Sequence, residues 1–294
     1  MKVLLLGANG QLGKELDFTL NEDLQLISLP RSSLDITDHK VTEDLIKHEK
    51  PSIIINAAAY TAVDKAESEQ KKADAVNHLA VKNLAHLAKE HNAWLIHYST
   101  DYVFEGTKQS PYTEQDTPNP LNIYGATKLA GENAIIESGC QFLIFRTSWV
   151  MGAHGNNFAK TILRLAKEKK ELRIVADQIG TPTSTSLIAS VTQEAIYKIK
   201  ANAPWPQGIY HLAPRGKTNW FEIAQRLIRY TEKSIPFRLT ADDVYPISTS
   251  EYPTAAKRPL NSLLETDKIQ SVLSFTLPHW EDDFVILAHE IIKA

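Results

Sequence analysis

Short aliphatic runs alternate with amphipathic stretches through the first half of the chain. Val3–Leu6 is followed by a glycine loop and then by a helical pattern from about Gln11 to Leu20. Leu24–Leu29 predicts a second strand, and Asp38–Glu49 a helix with Asp38 as its N-cap. Ser52–Asn56 (S-I-I-I-N) is β-branched and reads as a buried strand. Ser68–Glu90 carries apolar residues at helical spacing, and Trp94–Tyr98 and Phe142–Phe145 are further short apolar runs. Strands alternating with helices of this length predict βαβ units and a mainly parallel sheet.

The second half is less regular. Phe158–Lys169 is an amphipathic helical stretch, and Leu172–Val175 reads as a sixth strand. Gly180-Thr181-Pro182-Thr183 breaks the pattern. Leu187–Ile199 predicts a helix, Ile209–Leu212 a short strand, and Trp220–Tyr230 and Trp280–Ile292 the last helices. Between those two lies a Pro-, Ser- and Tyr-rich stretch, Tyr245–Pro259. No internal repeat or low-complexity linker marks a domain cut. The expected division is residues 1–150 as a cofactor-binding unit and 151–294 mainly as a substrate-binding lobe. The segment at about 171–176 is expected to return to the first sheet.

Composition narrows the function. The 294 residues are 43% hydrophobic and 23% charged, ordinary for a globular protein of about two domains. A formal net charge of −3 speaks against a nucleic-acid binder. The single cysteine, Cys140, cannot form an internal disulfide, which fits a reducing cytoplasm. No apolar run approaches the ~18 residues that span a bilayer. The opening M-K-V-L-L-L is too short for a signal peptide. The expected partner is therefore a small molecule, with no nucleic acid and no membrane.

Gly7-Ala8-Asn9-Gly10-Gln11-Leu12-Gly13 follows the first strand and opens a helix. Glycines there let backbone N–H groups at a helix N-terminus approach a pyrophosphate. The expected fold class is thus α/β, a Rossmann-type doubly wound parallel sheet with a smaller C-terminal substrate-binding lobe. The G-x-x-G-x-x-G spacing resembles the extended branch of the short-chain dehydrogenase/reductase superfamily. The second strand ends Leu29-Pro30-Arg31-Ser32, with a guanidinium and no carboxylate. Arg31 suits the 2′-phosphate of NADPH, and NADH use stays open. In the extended branch an Asp-hydrophobic pair such as Asp35-Ile36 contacts the adenine. Asn56-Ala57-Ala58-Ala59 would let backbone pass close to a flat cofactor.

Tyr124-Gly125-Ala126-Thr127-Lys128 is a Y-x-x-x-K pattern, which on a helix puts phenol and ammonium on one face. A free tyrosine titrates near pH 10, too high for easy proton exchange, and a nearby Lys⁺ and nicotinamide cation lower it. A hydroxyl is also needed to hydrogen-bond the carbonyl as hydride arrives. In His97-Tyr98-Ser99-Thr100-Asp101 the superfamily pattern aligns Thr100 with that role, while Ser99 is expected to point into the sheet. Thr100, Tyr124 and Lys128 then form a reductase triad whose chemistry asks for no metal. The ten histidines show no metal-ligand spacing, and there is no nucleophile elbow or P-loop.

Taken together, G-A-N-G-Q-L-G, I-N-A-A-A-Y-T-A-V-D-K-A-E, H-Y-S-T-D-Y-V-F, P-L-N-I-Y-G-A-T-K-L-A-G-E, F-R-T-S-W-V, G-N-N-F-A-K-T and K-R-P-L-N-S resemble the dTDP-4-dehydrorhamnose reductases over almost the whole chain. The resemblance implies that Gly10, Gln11 and Leu12 bind the pyrophosphate. It implies that Asp35 and Ile36 flank the adenine, that Ala59, Tyr60 and Thr61 line the middle of the cofactor, and that Tyr98 lies at its nicotinamide end. It makes Tyr124 the proton donor and Lys128 its partner and ribose anchor. Thr100 and Asp101 would contact the sugar, Trp149 would pack on it, and Arg258 would sit near the nucleotide diphosphate. The implied reaction is reduction of the C4 ketone of dTDP-6-deoxy-L-lyxo-4-hexulose to dTDP-L-rhamnose. Some members of the family are described as Mg²⁺-bridged dimers; Glu15 is present, but Ser186 stands at another expected ligand position. That argues against a structural Mg²⁺ and leaves a monomer or weak homodimer. The alternatives are a nucleotide-sugar epimerase or a dehydratase, of which the dehydratase would want a second carboxylate where Tyr102 stands, and a non-catalytic subunit resembling the regulatory subunit of methionine adenosyltransferase, which need not keep the triad.

Overall fold

The computed structural model describes residues 1–20, 24–232, 235 and 240–293. Its strands are β1 (Lys2–Leu6), β2 (Gln25–Leu29), β3 (Ile53–Asn56), β4 (Trp94–Thr100), β5 (Gln141–Thr147), β6 (Val150–Met151), β7 (Leu172–Val175), β8 (Ile179–Gly180), β9 (Thr183–Ser184), β10 (Gly208–His211), β11 (Thr218–Asn219) and β12 (Val244–Ile247). The helices are α1 (Gln11–Leu20), α2 (His39–Glu49), α3 (Val63–Ala66), α4 (Gln70–Asp74), α5 (Ala80–Glu90), α6 (Ile123–Ser138), α7 (Phe158–Glu168), α8 (Thr185–Lys200), α9 (Trp220–Thr231), α10 (Asp267–Gln270) and α11 (Trp280–Lys293).

Six strands form one parallel sheet in the order β10-β5-β4-β3-β1-β2. Strand periodicity assigns each side chain to one of two covered faces. Val3, Leu5, Ile53, Ile55, Ile96 and Tyr98 pack with Leu16 of α1 and Ile188 of α8. Leu4, Leu6, Ile54 and Leu95 pack with Ile46 of α2, Leu84 of α5 and Ile135 of α6. Both faces are covered, which is why the central strands read as continuous aliphatic runs. Asp38 caps α2 as expected, its Oδ1 accepting from the Val41 amide at 3.1 Å.

A second core fills the smaller lobe, where α7, α9 and α11 enclose Met151, Leu172 and Val244. Here one expectation is corrected. Leu172–Val175 does not rejoin the first sheet; β7 pairs in parallel with β12, strand-forming residues hidden in the Pro- and Tyr-rich stretch. The physical reason lies in the core it joins: Leu172 packs with Val244 of β12 in the smaller lobe while Arg173 is exposed, so the strand suits a two-stranded ribbon at the edge of that core. Pro246 is tolerated because β12 has β7 as its one ladder partner. The segments of the second half that do return include α8, whose Leu187 and Val191 belong to the first core, β10, which pairs with β5, and a late stretch carrying Ile269 and Leu277. The Gly180–Thr183 break separates β8 from β9, and Ser184 then caps α8. Among the described residues no helix is long and apolar enough to cross a membrane.

Candidate active site

Every strand of the main sheet runs the same way, so the loops after β1, β3, β4 and β5 gather at one end, where two clefts share Gly10, Ala57 and Ala59. The smaller, of about 180 Å³, is lined by Gly7, Arg31, Asp35, Ile36 and Tyr60. The larger, of about 630 Å³, takes in Gln11, Leu12, Thr61, Tyr98, Thr100, Asp101, Tyr124, Lys128 and Trp149. The backbone is shaped for a flat ligand. Gly7 has φ +79°, and a Cβ on it would lie 2.7 Å from the Ala58 amide nitrogen. Gly13 lines neither cleft; its part is close packing, since a Cβ there would lie 2.1 Å from the Gly7 carbonyl oxygen. The crossing that glycine permits lets the N-terminus of α1 face the cleft. These residues fit a dinucleotide.

In the smaller cleft Arg31 donates to Asp35 at 3.2 Å, both side chains being open to solvent. Asp35 also accepts from the hydroxyl and amide of Thr37, which hold its carboxyl below the usual value. The Tyr60 backbone is pinned by Asn77, which accepts from its amide at 2.8 Å and donates to its carbonyl at 3.0 Å. The Tyr60 phenol turns away to Glu69.

Helix α6 carries the Y-x-x-x-K pattern. Asn122 caps it by accepting from the Gly125 amide at 2.8 Å, and Gly139 ends it with φ +65°. Tyr124 lines the large cleft together with Thr100, and burial pushes its phenol up to about 12. Thr100 donates to Asp101 at 3.0 Å and accepts from the Tyr102 amide at 3.1 Å. Burial pushes the Asp101 carboxyl up to about 6. Lys128 is buried; its ammonium donates to the Tyr98 carbonyl at 2.6 Å, and burial brings it down to about 8. Ser99 does not point into the sheet as expected: its hydroxyl reaches off the sheet face to donate to Glu132 of α6, and the residue lines the large cleft. Glu132 forms a buried ion pair with Arg146 of β5, with nitrogen–oxygen contacts of 2.6 and 3.0 Å. Tyr98 holds its phenol on Thr192 of α8 at 2.9 Å.

Trp149 forms the floor on the lobe side. Its φ of +47° is uncommon for a bulky residue, and its ring stacks on Trp220 at 3.9 Å. Gly180 makes room, since a Cβ there would lie 2.5 Å from the indole. Arg258 is not brought to the triad. It pairs with Asp64 at 2.8 Å and lines a separate cavity of about 360 Å³ that shares Phe158 and Trp220 as walls with the large cleft. Glu15 accepts from Thr185 while Ser186 donates to Ser184. Among the described residues no group of three or more His, Cys, Asp or Glu is arranged to hold a metal ion.

The sequence reading passed over Trp220, Phe158 and Asn157, all of which line the large cleft. Asn157 sits in G-N-N-F-A-K-T, caps α7 by accepting from the Lys160 amide at 3.0 Å, and donates to the Gly152 carbonyl at 2.7 Å. An N-cap asparagine before a strongly amphipathic helix was its local signal. Trp220 had none, because its importance lies in stacking on a residue far away in the chain.

Comparison with known proteins agrees with this geometry. The family described as RmlD substrate binding domain matches residues 1–291. The dTDP-4-dehydrorhamnose reductase of Escherichia coli strain K12 is 45% identical over 286 residues, covering 96% of this chain and 95% of that protein. The crystal structure of dTDP-4-dehydrorhamnose reductase from Bacillus anthracis in complex with NADP has a TM-score of 0.91 and 36% identity, covering 98% of this chain and 99% of that one. The ortholog from Clostridium acetobutylicum also gives 0.91 and 36%, with both chains covered in full. The chain belongs to the dTDP-4-dehydrorhamnose reductase family.

Proposed function

We propose that this chain reduces the C4 ketone of dTDP-6-deoxy-L-lyxo-4-hexulose to dTDP-L-rhamnose, the last step of dTDP-L-rhamnose biosynthesis, with NADPH as donor and NADH as a second donor. The observation that carries the reading is the single cleft that begins at the glycine loop and holds Thr100, Tyr124 and Lys128 together. Bound along the two clefts, the dinucleotide supplies hydride. Gly10, Gln11 and Leu12 hold its pyrophosphate at the N-terminus of α1, with Gly7 and Gly13 keeping the turn tight. Arg31, Asp35 and Ile36 take the adenosine end, and Ala59, Tyr60 and Thr61 the middle. Tyr98 closes the nicotinamide end.

Tyr124 gives its phenolic proton to the C4 oxygen as hydride reaches the carbon. Thr100 hydrogen-bonds the same oxygen and so stabilises the charge that develops there. Lys128 lies one helical turn along α6 from Tyr124 and, with its own hydrogen bond to the Tyr98 carbonyl, anchors the ribose. Its positive charge favours the phenolate that Tyr124 becomes. Asp101 contacts the sugar, Trp149 packs on the deoxyhexulose face, and Arg258 meets the diphosphate. One chain supplies every residue named, which supports a monomer or weak homodimer. The sole cysteine, Cys140, is buried and free, in keeping with a cytoplasmic enzyme.

The deciding experiment is NADPH and NADH oxidation with freshly made dTDP-4-keto-6-deoxyhexose. Turnover yielding dTDP-L-rhamnose is expected. Binding of cofactor and sugar nucleotide without turnover would instead favour the regulatory-subunit reading.

A further inference from the structure

We propose that Asn56 and His97 form a positioning relay beneath the active site: Asn56 fixes the tautomer of His97 so that an imidazole N–H faces the Lys128 amine, which keeps that lysine ready to release its proton. The inference rests on reading Tyr124 and Lys128 as the proton-handling pair.

The three side chains lie in one buried line. Asn56 ends β3, and His97 stands opposite it on β4. Both are about 1% exposed, and Lys128 is 2% exposed. The Asn56 amide nitrogen lies 3.2 Å from His97 Nδ1, and His97 Nε2 lies 3.2 Å from Lys128 Nζ. The other end of the Asn56 amide is not free to choose, because its Oδ1 accepts from the Ala58 backbone N–H at 3.2 Å. That N–H can only donate, so the oxygen stays there and the NH₂ end faces the ring. His97 Nδ1 must then accept. Burial, and next the charge of Lys128, hold His97 well below its ordinary value, so the ring is neutral and carries one proton. With Nδ1 accepting, that proton sits on Nε2, the atom that faces Lys128.

An N–H pointing at an ammonium opposes it, whereas a neutral amine can accept from it. Lys128 keeps one good acceptor, the Tyr98 carbonyl at 2.6 Å. Of the groups packed around it, Glu132 on its own helix favours the charged form, but that carboxylate is also engaged by Arg146 and Ser99. From β4 it meets His97 and the Tyr98 carbonyl, and it shares the large cleft with Thr100, Asp101 and Tyr124. Burial thus lowers Lys128 in general, and the relay adds a directed contribution. After Tyr124 has given up its proton, the Lys128 ammonium poised in this way can pass one to the phenolate and is left as the neutral amine that accepts from His97 Nε2–H.

Two measurements test the relay. The first is ¹⁵N NMR of the histidine-labelled wild-type protein, with His97→Gln used only to assign the signal. The expected pattern is a neutral ring protonated at Nε2 through the neutral pH range; a ring protonated at Nδ1 would overturn the proposal. This readout needs no turnover, so its failure is separate from failure of the reductase reading. The second is the pH profile of kcat/KM for Asn56→Asp. The carboxylate offers an acceptor to Nδ1–H, flips the tautomer and turns Nε2 into an acceptor for the ammonium. The alkaline limb should then move up by about one pH unit. A limb that stays or moves down, including a loss of kcat and of melting temperature without displacement, would show a merely structural role. If Asn56→Asp does not fold, the tautomer of the wild-type ring decides alone.

Discussion

Arg258 donates to Asp64 at 2.8 Å, joining two side chains 194 residues apart and fastening the loop after Pro253 to the start of α3. The same loop is held by the Ala256 amide on Asp64 at 3.1 Å. The guanidinium is thereby oriented at the edge of a cavity that borders Trp220. Arg258→Ala should raise KM for the sugar nucleotide by roughly 10- to 100-fold, the worth of a charge-assisted hydrogen bond of about 1.5–3 kcal/mol. KM for NADPH should stay within about twofold. Steady-state kinetics in both substrates decides it; an equal rise in both constants would remove Arg258 from the diphosphate.

Tyr124→Phe removes the proton donor and leaves the ring. Turnover should fall by about 10²–10⁴, the usual weight of general acid catalysis. NADPH binding, followed by fluorescence titration, should persist because the glycine loop and Lys128 are intact. Retained turnover would refute the role of the phenol.

Arg31 is 77% exposed and engaged with Asp35, itself 40% exposed, so its pair contributes almost nothing to stability. The part we propose for it is to read the 2′-phosphate of the cofactor. Arg31→Ala should raise KM for NADPH by about tenfold while leaving KM for NADH nearly unchanged, with no change in melting temperature. Parallel changes for both dinucleotides would mean that it does not sense the 2′-phosphate.

Asp101 carries a pH signature. Its carboxyl, ordinarily near 3.8, is pushed by burial up to about 6 in the folded chain. The folded state therefore holds a proton that the unfolded state releases. The resulting stability is complete below about pH 4 and is lost as pH rises through about 6. The difference is roughly 3 kcal/mol at most. In Asp101→Asn the loss is absent, so the melting temperature of this variant should gain on wild type between pH 4 and 6 and then run parallel. A constant offset from pH 4 to 7 would mean that the carboxyl titrates normally.

What could be read from the chain alone was local. The glycine loop and the Tyr124–Lys128 spacing each fit within a few residues, and the aliphatic runs of β1, β3 and β4 announce strands buried on both faces. Pairing is a different matter. Leu172–Val175 is a sound strand by pattern, yet nothing within four residues says whether its partner is β5 or β12. Tyr245–Pro259 reads as loop because Pro246 and the serines mask a short strand whose partner is far away in sequence. The Trp149–Trp220 stack and the contact of His97 with Lys128 depend on the same long-range placement. His97 looked unremarkable because its chemistry appears only when β3, β4 and α6 are brought together.

The return of α8 and β10 to the first sheet has a further consequence for the chain as a whole. The polypeptide leaves the sheet after β5, comes back through Thr185–His211, departs for α9 and β12, packs Ile269 and Leu277 against the first core, and ends in the lobe with α11. A fragment ending near residue 150 would bare Tyr98 and Phe145 and leave β5 as a raw edge. The smaller lobe is therefore not a cassette. Exchanging it requires threading the graft around segments that belong to the core of the main sheet, and the two lobes should melt together in a single transition.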